Sequence, residues 1–160
     1  MTRINYREGD WFAVPLQDSG FAVGVIARAN SKAALLGYFF GPRRSEISLG
    51  LDCANLSAAD AVLVSRFGHL RLLDGAWPLI GQVPGWDRNA WPMPVFERHE
   101  ELTGRWFQVF YHEDDPAKLL GERQFVPASA ERGPQDGLMG AGFVEQRLTR
   151  LLGRSDQLLH

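Results

Sequence analysis

The side chains of this 160-residue chain that are equipped for chemistry are four histidines, one cysteine and a Glu-Asp-Asp triplet. His69, His99, His112 and His160 are scattered and form no HExxH pair or comparable ligand spacing, so they read as structural or surface residues. Only His112 adjoins carboxylates, those of Glu113, Asp114 and Asp115, yet neighbouring positions in a strand or turn point in different directions. The triplet lacks the alternating oxygen ligands and the glycine of a calcium loop. It reads as an exposed acidic turn and as a candidate partner-binding surface, because a compact acidic knob attracts a basic partner. Cys53, in LDCANL, has no neighbouring histidine to generate a thiolate and reads as a small half-buried hydrophobe. No GxSxG elbow is present, and GLMGAG at 137–142 follows a polar loop without a Lys-Ser/Thr, which makes it a close-packed helix start. The sequence thus offers no catalytic, metal-binding or cofactor-binding residue.

Aromatic residues are the richest feature. Trp11, Trp77, Trp106 and most of their kind are expected in the core, whereas Trp86 and Trp91 lie in a proline-bounded loop and are expected to be partly exposed interface anchors. A tryptophan platform for single-stranded nucleic acid would come with a basic groove. Here the basic residues are dispersed, the net charge is −2 and the pI is near 6.1, which argues against nucleic acid as a partner. The competing reading is a small nucleic-acid-binding barrel or an enzyme with a Trp/Arg-lined site, in which His112 and Glu113 are the adjacent acid/base candidates. It requires a concave pocket on which those side chains converge.

The elements that would position these groups follow from composition and pattern. With 45% apolar and 22% charged residues, the chain can bury one sizeable core, so a single domain over 1–160 is expected. One cysteine excludes an internal disulfide framework and suits a reducing compartment, the cytoplasm. No stretch has the length and apolarity of a signal peptide or a membrane helix, so no membrane association is expected.

DWFAVPL and GFAVGVIAR, separated by Gln17, Asp18, Ser19 and Gly20, predict a hairpin over 10–28. Phe21, Val23 and Val25 share one face, Ala22, Gly24 and Ile26 the other; Gly24 marks a bulge or a close backbone approach, and Pro15 an edge or terminal position. A third strand over 34–40 ends at Gly41 and Pro42, with a loop after it. Residues 56–67 read as a helical turn leading into a strand, HLRLLDGAW as a short helix ended by Gly75, and WPLIGQV as a strand. Residues 84–94 are irregular backbone. RWFQVFYH at 105–112 is a strand apolar on both faces, hence covered on both sides or part of a barrel wall. After a loop at 127–137, Val144, Leu148, Leu151 and Leu152 recur at helical spacing, with Gly153 as terminator. The sum is an α+β fold, strand-dominated, with a curved antiparallel sheet or partial barrel and a C-terminal amphipathic helix.

YREGDWFAVPL at 6–16, GFAVGVIAR at 20–28, GAWPLIGQVP at 75–84, WPMPVFER at 91–98 and GAGFVEQRL at 140–148 together resemble, in order, the immunity protein 26 family. The resemblance implies a mostly β, non-enzymatic bacterial protein, encoded beside a polymorphic toxin, that binds and blocks that cognate toxin. The family's recurrent positions fall here on Gly9, Asp10, Phe12, Pro15, Gly24, Trp77, Gly81, Pro94 and Phe96, whose chemistry is that of turns and core packing. The binding surface is therefore expected outside the motifs, with 43–56 and the acidic turn as candidates.

Overall fold

The computed structural model describes residues 5–29, 34–47 and 55–153. Cys53, His160 and residues 48–54 of the 43–56 segment lie outside the described residues. The predicted hairpin is β1 (Asp10–Pro15) and β2 (Phe21–Ala29), with Leu16 N–H donating to Gly20 O at 2.9 Å across the turn, where Gly20 takes a φ of +75°. Pro15 is the last residue of β1, where its missing N–H costs no ladder bond.

β3 (Ala34–Arg44) is longer than expected. It does not stop at Phe40, because Arg44 is still opposite Phe21, across a register shift that absorbs Gly41 and Pro42. The Ser57–Asp60 turn and β4 (Leu63–Gly68) follow as predicted, then α1 (Leu70–Leu73) and β5 (Leu79–Gln82). Phe96–Glu100 (β6), Arg105–His112 (β7) and Asp115–Phe125 (β8) form a separate three-stranded sheet in that order. Leu138–Met139 (β9) and Ala141–Leu151 (α2) close the described chain.

The larger sheet has the order β5-β1-β2-β3-β4-β9 and is antiparallel except for the β4–β9 pair, which is parallel. It is a mixed sheet that does not close into a barrel. Strict alternation along β1, β2 and β3 gives it two apolar faces. On one, Phe12, Val14, Ile26, Leu35, Phe39 and Phe67 pack with Trp77, Leu72 and the α2 residues Val144 and Leu148. On the other, Trp11, Val23, Val25, Tyr38 and Phe40 pack with Trp91, Phe96 and Val109. The molecule is therefore layered, with helix, large sheet and small sheet in succession.

Two expectations are corrected. β7 is central in its sheet but covered on one side only: Val109 is buried against the large sheet, whereas Trp106, Gln108 and Phe110 on the opposite face remain partly exposed beside polar and cationic neighbours. On α2 the inward row is Val144, Leu148 and Leu152, at steps of four; Leu151 is turned out and 48% exposed.

Gly24 is a close-approach glycine. A Cβ there would lie 2.5 Å from Cζ of Phe12, whose ring cannot retreat because it is stacked on Trp77 at 5.7 Å and an interplanar angle of 4°. Gly24→Ala should accordingly cost about 1–3 kcal/mol through over-packing, read as a lower urea midpoint with an unchanged m-value.

Candidate functional site

Arginines that look dispersed in the sequence are largely structural in space. Arg28 is fully buried near the end of β2. A register shift between Ile26 and Arg28 takes it out of the apolar alternation, and its guanidinium then meets five acceptors. Nε donates to Glu113 O at 2.7 Å, Nη1 to Ala27 O at 2.6 Å and Trp91 O at 3.0 Å, and Nη2 to Arg88 O at 3.4 Å and Glu113 Oε1 at 2.7 Å. Every N–H of the group is used. Arg88 extends the network by pairing with Glu8 at 2.7 Å and with Asp114, which holds the Asp114 carboxyl below the usual range. Asp115 turns back to accept from Ala117 N–H at 2.8 Å.

The acidic triplet is thus an ordered turn with two of its three carboxylates ion-paired. Those paired side chains still reach solvent, Glu113 being 58% and Asp114 60% exposed. Neighbouring His112 uses Nδ1 to accept from the Asp114 N–H at 3.1 Å. The structure does not join His112 and Glu113 in a pocket. Trp86 is half-buried, stacked on Trp91 at 5.9 Å and directed at Glu8 through Nε1. Trp91 is only 4% exposed, edge-on to Tyr38 and Phe40, and forms part of the core instead of the surface.

Arg43 was not singled out by its sequence. Its side chain, 2% exposed, pairs with Asp18, donates to Ser19 O at 2.7 Å and reaches Thr149 O and Gly153 O, so it caps the C-terminus of α2 where the helix dipole favours a cation. Arg66 lies 4.0 Å over the Tyr111 ring and 3.5 Å from Asp136, which also accepts from the Tyr111 hydroxyl at 2.6 Å. Arg28 and Arg66 share a signal in retrospect: each interrupts a strand whose other residues are apolar or small.

A concave feature exists, away from the predicted residues. A cleft of about 600 Å³ opens where the start of β4, the strands β6 and β7, the loop 132–136 and α2 converge. Its lining includes Trp106, Arg98, Arg132 and Arg147 together with Val62 and Phe143. Within it Trp106 is stacked on His99 at 4.3 Å and carries Arg132 at 5.0 Å, while Arg132 also pairs with Glu97 at 3.4 Å. The loop is fixed to β6 by Glu97 N–H donating to Pro134 O at 2.8 Å and Asp136 N–H to Glu97 O at 2.9 Å. Among the described residues, no group of three or more His, Cys, Asp or Glu is placed to hold a metal ion, and no helix is long and apolar enough to cross a membrane.

What these features define is a strand-dominated α+β scaffold whose cations are mainly structural and which presents an open, mixed-polarity cleft. The chain belongs to the immunity protein 26 family, whose family model matches residues 7–108. That span holds the hairpin, the W-P-L-I-G segment and the W-P-M-P segment, and ends before the loop 132–136 and α2. No curated protein and no solved structure matches the chain.

Two measurements check the polar framework. Arg28→Met should destabilise the protein by about 3–5 kcal/mol, because it leaves four carbonyls and a carboxylate without their cation, whereas Glu113→Gln should cost less, since the carbonyl contact survives and the carboxylate is more than half exposed. Urea unfolding reads both. Burial pushes Tyr38 up to about 12, and burial with the Asp136 hydrogen bond pushes Tyr111 up to about 12, from an ordinary 10.0. The unfolded chain therefore loses these protons first: their contribution is fully present below about pH 10 and is lost as pH rises to about 12. The urea midpoint should fall across that window, and Tyr111→Phe should flatten part of the slope.

Proposed function

We propose that this chain is an immunity protein that binds a cognate bacterial toxin, encoded beside it, and neutralises it by protein–protein contact. The observation that carries this reading is the family match over residues 7–108. In this reading the protein acts in the cytoplasm as one domain, without a cofactor and without catalysis of its own. Its effect is steric and electrostatic, and tight neutralisation needs an interface of about 1,600 Å² with a few aromatic or arginine anchors.

The acidic turn Glu113, Asp114 and Asp115 and the half-buried Trp86 are proposed as contact residues. Trp91 supports them from beneath by holding Trp86 and by offering its carbonyl to Arg28. Two carboxylates of the turn are already paired, so it guides a basic partner by its remaining field more than by free charge.

The cleft favours a second reading, a Trp/Arg-lined site for nucleic acid or a small substrate. It brings Trp106 together with three arginines. His112 and Glu113, the acid/base candidates of that reading, are absent from its lining.

Co-expression with the toxin encoded next to it decides between them. The protein should co-purify as a stable complex and abolish killing of the host cell. If the two fail to associate and killing persists, neutralisation by binding is wrong; salt-dependent retention of oligonucleotides by the protein alone would favour the second reading.

A further inference from the structure

The cleft carries more than its outline. All three layers contribute to it: β4 from the large sheet, β6 and β7 from the small one, and α2 with the loop before it. The two sides differ in their relation to the family, since the β4, β6 and β7 side lies within the matched span and the loop 132–136 and α2 lie beyond it. The α2 segment 140–148, which carries Phe143 and Arg147, is nonetheless one of the stretches by which the chain resembles the family, so this wall does not lie outside its motifs.

Its chemistry is selective. Val62 and Phe143 line it with large apolar side chains left 41% and 42% exposed, beside the Trp106 ring. Most of its charges are already matched: Glu97 by Arg132, Asp136 by Arg66, and Arg98 by Glu122 at 2.9 Å. Arg147 is half-buried on α2 and makes no ion pair among the described residues. An occupant that filled the apolar part alone would strip water from this guanidinium and leave it uncompensated, which is unfavourable unless the occupant brings an acceptor of opposite charge. One free cation suits one carboxylate. A phosphate chain suits it badly, because its several charges would meet a single unmatched arginine and would run past Glu101, which makes no ion pair among the described residues.

We infer that the cleft receives a protruding segment of the toxin in which a carboxylate stands beside an apolar side chain, the carboxylate on Arg147 and the apolar group between Val62 and Phe143. This rests on the neutralisation reading above and names the place where it acts. Tryptophan, arginine and exposed apolar side chains around a concavity are the residue types and geometry that concentrate binding energy at interfaces.

The test measures affinity of the full chain for the toxin encoded beside it, in an inactivated form, by titration calorimetry. Arg147→Glu and Phe143→Ser should each weaken binding at least about 30-fold, and Arg147→Lys should lose less than about tenfold, with circular dichroism unchanged in all three. Val62→Glu, from the opposite wall, should reproduce the loss and replaces either variant that does not fold. If the wild-type protein binds tightly and the cleft variants stay within about threefold of it, the cleft inference is overturned while neutralisation stands. No binding by the wild-type protein removes both. Salt-dependent binding of a single-stranded oligonucleotide that Arg147→Glu abolishes would assign the cleft to nucleic acid and also overturn the inference.

Discussion

The guanidinium of Arg28 is the interaction on which the arrangement of this protein turns. A fully buried cation is tolerable only when its desolvation is met by bonds on every side. The five N–H groups find acceptors on β2 itself, on the Arg88–Trp91 loop and on the turn between β7 and β8. Hydrogen bonds to a charged group contribute about 1.5–3 kcal/mol each, enough in number to offset a penalty of several kcal/mol. Four of those five acceptors come from parts of the chain 60 to 85 residues away, which ties the small sheet and the loop before it to the large one. Apolar packing between Val109, Phe96 and Phe40 is directionally permissive; the arginine is what selects one seating.

The positions that recur in the family make sense within that frame. Phe12 and Trp77 stack, Gly24 leaves room for the Phe12 ring, and Phe96 is buried where β6 meets the large sheet. These are requirements of packing. The cleft lies between the small sheet and α2, and none of these recurrent residues lines it.

Much of the fold was legible because burial leaves a period in the sequence. The hairpin and α2 show an apolar alternation or helical recurrence, whereas β4, β5 and β7 show as short runs rich in aromatic and aliphatic residues, and all lie close to the spans the sequence predicts. β8 left no such trace: DPAKLLGERQF is an edge strand, exposed at most positions and held chiefly by its ladder to β7, so nothing selected for alternation. β3 was read too short because Gly41 and Pro42 normally stop a strand, whereas here a register shift carries the pairing through to Arg44. The cleft was not legible at all. Val62, Trp106, Arg132 and Arg147 are unremarkable one by one, and their concavity exists only because three layers end at the same place. Arg28 was likewise hidden, since a charged residue at the end of a strand is ordinarily a solvated one.

The seating of α2 also bears on when the molecule becomes whole. Val144 and Leu148 seal the Phe12, Phe39 and Phe67 face, and the helix is held by Arg43 from the distant end of β3. During synthesis Leu72 and Trp77, which cover part of this face, precede β5, whereas Val144 and Leu148 come after every strand of the large sheet. The part of the face beneath α2 is therefore covered only when the last described helix has been made. A translation product interrupted before α2 leaves the part of that face under Val144 and Leu148 bare, which makes it the more adhesive of the two forms.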